Sequence, residues 1–285
     1  IEVILAIAPS KDRTLQVAQA LAQSDSRVKI VDNPSGRTAA GLNIAIKHSK
    51  YPIIVRVDGH ANIPNNYISI AVQLLNETGA VNVGGVMAAE GQNAFENAVA
   101  RAMRSPLGVG GAKFHTGGEA GEVDTVYLGV FRKDALNAVG GFDEHFTRAQ
   151  DWELNYRLRM NGGKIFFDPR LTVTYRPRRS LPALAKQYFE YGRWRRVVTR
   201  THKGTINYRY LAPPITLIGV LISLIAALIH PILITPAAVY GAFVLGSSMT
   251  IGKSFMERIY LPFILITMQM GWGAGFITSS KRLVR

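Results

Sequence analysis

The sequence of 285 residues contains no cysteine. This absence excludes a disulfide framework, a thiolate nucleophile and a metal site built on thiolates. Charged side chains are missing from two long stretches, Leu211–Gly252 and Ile259–Ser280, which contain no Lys, Arg, Asp or Glu. Uncharged apolar stretches of this length predict segments that lie inside or against a membrane.

Acidic residues are scarce, with 19 Asp and Glu against 33 Lys and Arg, so the formal net charge is +14. The excess is concentrated between Lys164 and Arg209, where twelve basic residues accompany two acidic ones. Such a balance predicts a polyanionic partner. Because the basic stretch directly precedes the uncharged ones, we expect anionic membrane lipids at the cytoplasmic face and no nucleic acid.

The N-terminal part of the chain alternates apolar runs with helical patterns. Strands are expected at Ile1–Ala8, Val28–Asp32 and Pro52–Val57, with helices at Thr14–Gln23 and Thr38–His48 between them. This alternation indicates βαβ units, and therefore an α/β fold with a mostly parallel sheet flanked by helices. Ligands bind beyond the carboxyl ends of the strands in such sheets, so residues that directly follow a strand are the first candidates for chemistry.

The same reasoning extends to residue 178. The further elements expected are helices at Asn65–Glu77, Lys133–Val139 and Gln150–Asn161, strands at Ala80–Met87, Thr125–Arg132, Lys164–Phe167 and Leu171–Tyr175, and a mobile glycine-rich loop at Pro106–Gly121. We therefore expect a catalytic domain over residues 1–178.

The C-terminal part predicts membrane attachment. Residues 179–210 form a basic amphipathic interface helix, and residues 211–285 supply the membrane segments. Two spans, 211–229 and 232–252, fit the first uncharged stretch. The segment 259–280 contains Pro262 and several glycines, which weaken a straight helix. For this third segment we favour a re-entrant or interface-lying form over a full crossing, because a crossing would place the basic tail outside.

One candidate site follows the third strand, at Asp58-Gly59-His60. A carboxylate and an imidazole two residues apart can face one divalent cation, and histidine suits Mn²⁺ better than Mg²⁺. A plain strand-ending turn accounts for the same residues without a metal.

Two further candidates lie at helix starts. Asp151 is in the first turn of its helix, where the helix dipole stabilises a carboxylate that could accept a proton, although simple capping explains it too. Asn33 and Arg37 precede the second helix, whose first amides could meet a phosphate or a ribose. An ordinary connection between a strand and a helix is an equal alternative there.

These segments, taken in order, resemble family 2 glycosyltransferases, in particular the bacterial subgroup that builds exopolysaccharides such as succinoglycan. The matching segments are Ser10-Lys11-Asp12-Arg13-Thr14, Asn33-Pro34 with Gly36-Arg37-Thr38 and Leu42-Asn43, Arg56-Val57-Asp58-Gly59-His60, Val139-Gly140-Gly141-Phe142-Asp143-Glu144, and Asp151-Trp152-Glu153-Leu154-Asn155-Tyr156-Arg157. Membrane helices follow, as in that subgroup.

The resemblance implies a GT-A fold and an inverting transfer of a sugar from a nucleotide sugar, expected to be a UDP-sugar, to a lipid-linked saccharide acceptor. By the same resemblance, Asp58 and His60 stand at the DxD motif that holds a divalent metal, Mn²⁺ or Mg²⁺, and Asp151 stands at the catalytic base. The residues implied near the nucleotide are Asp12, Asn33, Arg37 and Asp58.

The chain also departs from the family pattern. His60 replaces the second Asp of DxD, Ala8-Pro9 replaces an acidic residue, and the family's first strand is missing, which predicts a chain truncated at its N-terminus. One alternative is a processive polysaccharide synthase, which needs more spanning helices and a Gln-x-x-Arg-Trp motif that Gln187 and Arg193-Trp194 match only at the wrong spacing. The other is a non-catalytic membrane scaffold with a degenerate transferase domain.

Overall fold

The computed structural model describes residues 1–59 and 61–284, so His60 and Arg285 lie outside the described residues. The chain divides into two compact units. The first consists of Ile1–Gly59, Ile63–Val86 and Gly118–Thr172, and the second of His60–Asn62, Met87–Gly117 and Val173–Arg285. The predicted division at residues 178 and 210 stays a prediction about chain organisation, and it differs from these units chiefly because residues 87–117 belong to the second one.

Seven strands and twelve α-helices are formed by the described residues. In chain order they are β1 (Val3–Ile7), α1 (Thr14–Ser24), β2 (Val28–Asp32), α2 (Thr38–His48), β3 (Ile53–Val55), α3 (Tyr67–Thr78), β4 (Asn82–Ala89), α4 (Ala94–Met103), α5 (Pro106–Val109), α6 (Lys113–Thr116), β5 (Gly121–Glu122), β6 (Tyr127–Arg132), α7 (Lys133–Ala138), α8 (Gln150–Met160), β7 (Ile165–Tyr175), α9 (Leu181–Thr201), α10 (Tyr208–Ala226), α11 (Thr235–Ile251) and α12 (Phe255–Thr278).

The strands form two sheets. β1 and β2 pair in parallel, which α1 makes possible by carrying the chain back to the start of the sheet. The second sheet has the order β3-β6-β4-β7-β5. Its pairings β3–β6, β4–β6 and β5–β7 are antiparallel. The α/β class with a sheet flanked by helices is confirmed. Parallel pairing holds for β1–β2 but not for these three pairs, because β6 runs opposite to both of its neighbours and β5 runs opposite to β7.

The core of the first unit is an apolar cluster beneath helices α2, α7 and α8. Its buried members are Ala39, Ile46, Val126, Phe131, Leu136, Phe142, Leu154, Leu158, Ile165 and Phe167. Leu154 and Leu158 are four residues apart, so both lie on one face of α8 and pack towards the sheet. This packing fixes the orientation of the first turn of α8, which carries Asp151.

The second unit contains three helices that are long and apolar enough to cross a membrane, as predicted. They span Tyr208–Ala226, Pro231–Ile251 and Phe255–Thr278, and the second of them begins with a short 3₁₀ turn at Pro231–Ile234. α10 and α11 are mostly exposed, whereas α12 is the most enclosed of the three within the unit.

α12 packs closely along the basic helix α9. A Cβ atom on Gly275 would lie 1.9 Å from the carbonyl oxygen of Phe189, so only glycine permits this approach. The Ser279 hydroxyl donates to the Arg193 carbonyl oxygen at 3.0 Å, and Arg200 donates to the Ser279 carbonyl at 2.9 Å. α9, the predicted interface helix, therefore packs against α12, the third apolar segment.

Several expectations need adjustment. α12 is a single unbroken helix, so a re-entrant hairpin, which would need a break, does not fit it, while an interface-lying helix does. The helix Ala94–Met103 was not predicted, the expected loop Pro106–Gly121 contains two single-turn helices, and the two strands expected at residues 164–175 are one strand, β7.

Candidate active site

Arg56 occupies the centre of the candidate site, directly after strand β3. Its backbone amide donates to the carbonyl of Gly129 on β6 at 3.3 Å, which continues the pairing of the two strands. Only 4 % of the side chain is exposed. A guanidinium group buried to this degree needs anionic partners, because a lone charge away from water is costly.

The partners of Arg56 are the two predicted aspartates. Its Nε donates to Asp58 Oδ1 at 2.9 Å and its Nη2 to Asp58 Oδ2 at 3.2 Å. Its Nη1 donates to Asp151 Oδ1. The structure thus brings the DxD aspartate and the candidate base to the two sides of one arginine, although their positions in the sequence are far apart.

The charges in this cluster shift the pKa values of Asp151 and Arg56. Burial raises the pKa of Asp151, the Arg56 charge lowers it, and the Asp58 charge raises it again, with a net increase above the ordinary value. Burial alone would lower the pKa of Arg56, but the carboxylates of Asp151 and Asp58 raise it further, so the guanidinium stays charged. A carboxylate with a raised pKa is a stronger proton acceptor, which is what a general base requires.

Solvent can still reach the side chain of Asp151 despite its contact with Arg56. About a third of its side chain, 35 %, is exposed, compared with 21 % for Asp58. The predicted position of Asp151 in the first turn of α8 is confirmed, and the preceding residue, Ala149, has a left-handed backbone with φ 59°. This unusual conformation for a residue with a side chain turns the chain sharply into the helix.

The loop that follows α7 packs against Arg56, the central residue of the site. The Arg56 guanidinium carbon lies 5.7 Å from the centroid of the Phe142 ring. Asn43 on α2 holds the backbone of Phe142 on both sides, since its Nδ2 donates to the Phe142 carbonyl and its Oδ1 accepts from the Phe142 amide, both at 2.8 Å. Gly141, with φ 71°, allows this approach, because a Cβ atom there would lie 2.7 Å from Asn43 Oδ1.

Other motif residues on α8 are structural. Glu153 is buried and accepts two hydrogen bonds from Arg157, each 2.7 Å. Arg157 also donates to the carbonyls of Val139 and Gly141. This pair therefore ties the helix that carries Asp151 to the loop that carries Phe142.

Besides Asp58, the residues predicted near the nucleotide differ in their placement. Asn33 is buried and stabilises its own turn, with Nδ2 donating to the Arg37 carbonyl at 3.1 Å. Arg37 donates to the Glu144 carbonyl at 2.9 Å, so it reaches the Phe142 loop. Asp12 instead accepts hydrogen bonds only from Ser10 and Thr14 among the described residues, and the Thr14 hydroxyl lowers its pKa.

Metal binding was predicted at Asp58 and His60, and His60 lies outside the described residues. Within residues 1–59 and 61–284, no group of three or more acidic or histidine side chains could hold a metal ion. Asp58 still fits a partial site, because a carboxylate that accepts from one arginine keeps free lone pairs. Mg²⁺ and similar ions often take only one or two carboxylates together with substrate phosphates.

Arg56 was not predicted as a functional residue. It stands in the quoted segment Arg56-Val57-Asp58-Gly59-His60, yet its sequence position shows only a basic residue after an apolar strand. A charged residue at the end of an apolar strand was a signal that it needs a partner. The partner Asp151 could be identified only from the fold.

Comparisons with known proteins show which family the chain resembles. The family model described as glycosyl transferase family 2 matches residues 1–140. The chain is 31 % identical over 280 residues to the succinoglycan biosynthesis protein ExoA of Rhizobium meliloti (strain 1021), covering 96 % of this chain and 84 % of that protein.

Two more distant relatives extend the comparison. The chain is 25 % identical over 241 residues to the dolichyl N-acetyl-alpha-D-glucosaminyl phosphate 3-beta-D-2,3-diacetamido-2,3-dideoxy-beta-D-glucuronosyltransferase of Methanococcus voltae, covering 82 % of this chain and 73 % of that protein. Among solved structures, it is similar to the mannosyltransferase PcManGT from Pyrobaculum calidifontis in complex with GDP-Man and Mn²⁺, with a TM-score of 0.63 at 18 % identity, covering 98 % of this chain and 77 % of that chain. That likeness shows the fold.

Proposed function

The chain belongs to glycosyl transferase family 2 and is a glycosyltransferase, and from that membership we propose that it transfers a sugar with inversion from a nucleotide sugar to a lipid-linked or exopolysaccharide acceptor. The observation that carries the proposal is the ionic link from Asp58 through Arg56 to Asp151. Through this link Asp58, which we propose acts at the leaving diphosphate, lies close to Asp151, which we propose deprotonates the acceptor.

In the proposed reaction Asp151 acts as general base. Its carboxylate takes the proton of an acceptor hydroxyl while that oxygen forms a bond to the anomeric carbon of the donor. The bond from the anomeric carbon to the diphosphate oxygen breaks, and its electron pair leaves with the nucleotide diphosphate. Because the acceptor attacks opposite the leaving group, the anomeric configuration inverts.

Asp58 is proposed to act on the sugar-nucleotide donor in the same reaction. A divalent cation held by Asp58, when bound, would neutralise charge on the leaving diphosphate. His60 would be its second ligand, and Mn²⁺ is the metal favoured by that pairing. Support for a metal and a nucleotide sugar comes from the solved relative of the same fold, which holds Mn²⁺ and GDP-Man. A UDP-sugar is our proposed donor.

Arg56 acts as a positioning residue. Its two-pronged contact with Asp58 and its contact with Asp151 fix the separation of the two carboxylates. Its charge also keeps the pKa of Asp151 lower than burial alone would set it. The base is therefore deprotonated in a larger fraction of molecules at neutral pH.

Arg37 and Asn33 are proposed to form part of the surface that binds the nucleotide. Arg37 is half exposed and lies against Glu144, so part of its guanidinium remains available to a ribose or a phosphate. Asn33 shapes the turn that presents it. Asp12 is proposed to lie near the nucleotide as well, in the turn where it accepts hydrogen bonds from Ser10 and Thr14.

A membrane acceptor fits the second unit. Three helices there could span a membrane by length and composition, and the relatives act in succinoglycan biosynthesis and on a dolichyl phosphate sugar, as their names state. We propose a multi-pass cell-membrane protein with its catalytic domain in the cytoplasm, where nucleotide sugars are made. The basic residues of α9 agree with a cytoplasmic surface.

Within this topology we propose that α12 lies at the interface and the tail stays cytoplasmic. Arg200 bonds the C-terminal end of α12, and Arg101 lies 3.7 Å from Glu257 near its other end. A full crossing would instead place the basic residues Lys281 and Arg282 outside, against the tendency of Lys and Arg to stay on the cytoplasmic side. A reporter fused after Arg285 tests this: cytoplasm-only fluorescence supports it, and activity of a periplasm-only phosphatase refutes it.

The decisive experiment is an assay of released nucleotide. Membranes that carry the full-length protein receive a panel of sugar nucleotides together with extracted lipid acceptors. We expect acceptor-dependent release with one donor, and none with Asp151→Asn. Release that is equal in the Asn variant, or absent with every donor, would contradict the proposal.

The same assay separates the two alternatives. A processive synthase would add many sugars to each acceptor, and a scaffold would bind donor without turnover. Against the synthase, Gln187 is already committed to hydrogen bonds with Tyr175 and Tyr191. Against the scaffold, Asp151 has the raised pKa and the exposure of a working base.

A further inference from the structure

A cavity of about 300 Å³ in the second unit contains none of the residues proposed to take part in sugar transfer. Its lining residues are Ala89, Glu90, Gly91, Asn97, Ala100, Arg101, Arg104 and Arg176. Three of these eight residues are arginine and one is acidic, so the cavity carries a net positive charge. Small-ligand sites span about 300–1,000 Å³, which places this cavity at the small end of the range, the size of a headgroup.

The walls of the cavity are held in place by close packing. Gly91 lies against the first turn of α4, where a Cβ atom would come within 2.2 Å of the Asn97 backbone nitrogen. The Glu90 amide donates to the Tyr175 carbonyl at 3.0 Å, which sets Arg176 opposite Glu90. The Arg176 guanidinium then donates to the Glu90 carbonyl at 3.2 Å.

The three arginines are not equally neutralised. Arg101 lies 3.7 Å from Glu257, and Arg176 lies 3.7 Å from the Glu90 carboxylate. Arg104 is exposed, and across residues 1–59 and 61–284 no acidic side chain lies within ion-pair distance of it. A planar guanidinium with free donors matches the oxygens of a phosphate group in a two-pronged contact.

The cavity lies beside the polar end of an apolar helix. Glu257, the partner of Arg101, is in the first turn of α12 and also accepts from the Lys253 amide at 2.8 Å. Phe95 on α4 contacts Tyr260 on α12 edge to face, with ring centroids 5.6 Å apart. α4 therefore packs against the first turns of a candidate membrane helix.

We propose that this cavity binds a lipid-borne phosphate, with Arg104 as the principal contact and Arg101 and Arg176 beside it. Two sources present that chemistry, the headgroup of an anionic phospholipid and the phosphate of a polyprenyl carrier. The inference rests on the proposed membrane location of the chain and does not depend on its transfer reaction.

The test is native mass spectrometry of the detergent-released full chain with one added lipid at a time. The probes are phosphatidylglycerol, a polyprenyl phosphate and neutral phosphatidylcholine. We expect the first or the second to bind at least about tenfold more tightly than the third, since a hydrogen bond to a charged group contributes about 1.5–3 kcal/mol. Preference for phosphatidylglycerol identifies a headgroup site, and preference for polyprenyl phosphate identifies a carrier site.

The variant Arg104→Gln should lose that preference about tenfold, and Arg104→Lys should keep part of it, because a charge remains without the two-pronged geometry. The matched control is Arg282→Gln, which removes an exposed arginine outside the cavity and should bind as the parent does. Equal affinity for all three lipids, an unaffected Arg104→Gln variant, or an equal loss in Arg282→Gln would each overturn the proposal.

Two readouts separate this inference from the proposed function. Lipid binding is measured without any sugar nucleotide, and Asp151→Asn should bind lipid as the parent does. If Asp151→Asn is inactive and Arg104→Gln binds lipid normally, only the cavity proposal fails. If the full chain binds the lipid and never releases nucleotide with any donor, only the proposed function fails.

Discussion

Replacement of Arg56 by glutamine should disable the site without removing either carboxylate. The change leaves Asp58 and Asp151 facing each other with no cation between them. Breaking a buried ion pair by removing one partner costs about 3–5 kcal/mol. Because 21 % of Asp58 and 35 % of Asp151 are exposed and can recover hydration, we expect the lower end, ~3 kcal/mol. If this cost appears in transition-state binding, kcat/KM falls by about 10²-fold.

The pH dependence of this variant gives a sharper test. Arg56 lowers the pKa of Asp151, so its removal raises that pKa. A general base works only when deprotonated, and its activity is lost as pH falls through its pKa. The acid limb of the kcat/KM profile should therefore move to higher pH in Arg56→Gln. The loss of kcat/KM relative to the parent should be largest at low pH and should become smaller as pH rises.

The assay is acceptor-dependent release of nucleotide diphosphate by membranes over a range of pH. The matched control is Arg27→Gln, because Arg27 also forms a two-pronged pair with an aspartate, Asp25, but at the surface, with 62 % of the arginine exposed. Surface pairs contribute about 0–1 kcal/mol, so this variant should retain its activity and profile. An Arg56→Gln variant with a parental profile would refute the positioning role.

The remaining predictions address the base, the metal and the helix packing. Asp151→Asn should bind nucleotide sugar in a calorimetric titration yet lose transfer by ~10²-fold or more, and near-normal turnover would contradict the assignment. Asp58→Ala should weaken metal-dependent donor binding, whereas His60→Asp should shift the preference towards Mg²⁺, and activity undiminished by EDTA would count against both. Gly275→Leu should lower the thermal midpoint of the detergent-solubilised chain, because its Cβ would overlap the Phe189 carbonyl, while Gly219→Ala, with open space around it, should not.

The fold could be predicted where local signals mark both ends of an element. The bounds of β2 and α2 were predicted to the residue, since Asn33-Pro34-Ser35-Gly36 separates them and no helix signal follows His48. The helix Ala94–Met103 was missed even though it has a capping signal. Asn93 accepts from the Glu96 amide, as an N-cap residue does, and Glu96 accepts from the amide of Gln92, one residue before the cap.

The start of α12 was misplaced for a related reason. Its charged residues Glu257 and Arg258 precede the uncharged stretch, so the third apolar segment was expected only from Ile259. The structure uses them in the first turn instead, where Ser254 accepts from the Glu257 amide and Glu257 accepts from the Lys253 amide. Charge near an apolar run can therefore indicate a helix cap as readily as a connection, and only the hydrogen bonds distinguish the two.

The candidate site could be predicted only in part, because its chemistry and its support are divided among distant segments. Asp58 and Asp151 were identified by resemblance, but the cation between them was not, since no sequence spacing relates Arg56 to Asp151.

The residues that hold this site in position were not recognised from the sequence for the same reason. Glu153 was quoted as part of a motif, and it holds Arg157, which donates to the carbonyls of Val139 and Gly141. That loop carries Phe142, the ring beneath the Arg56 guanidinium. A motif residue can thus govern the geometry of the reacting groups through two intervening contacts, because buried ionic groups hold their positions only when every neighbour is fixed.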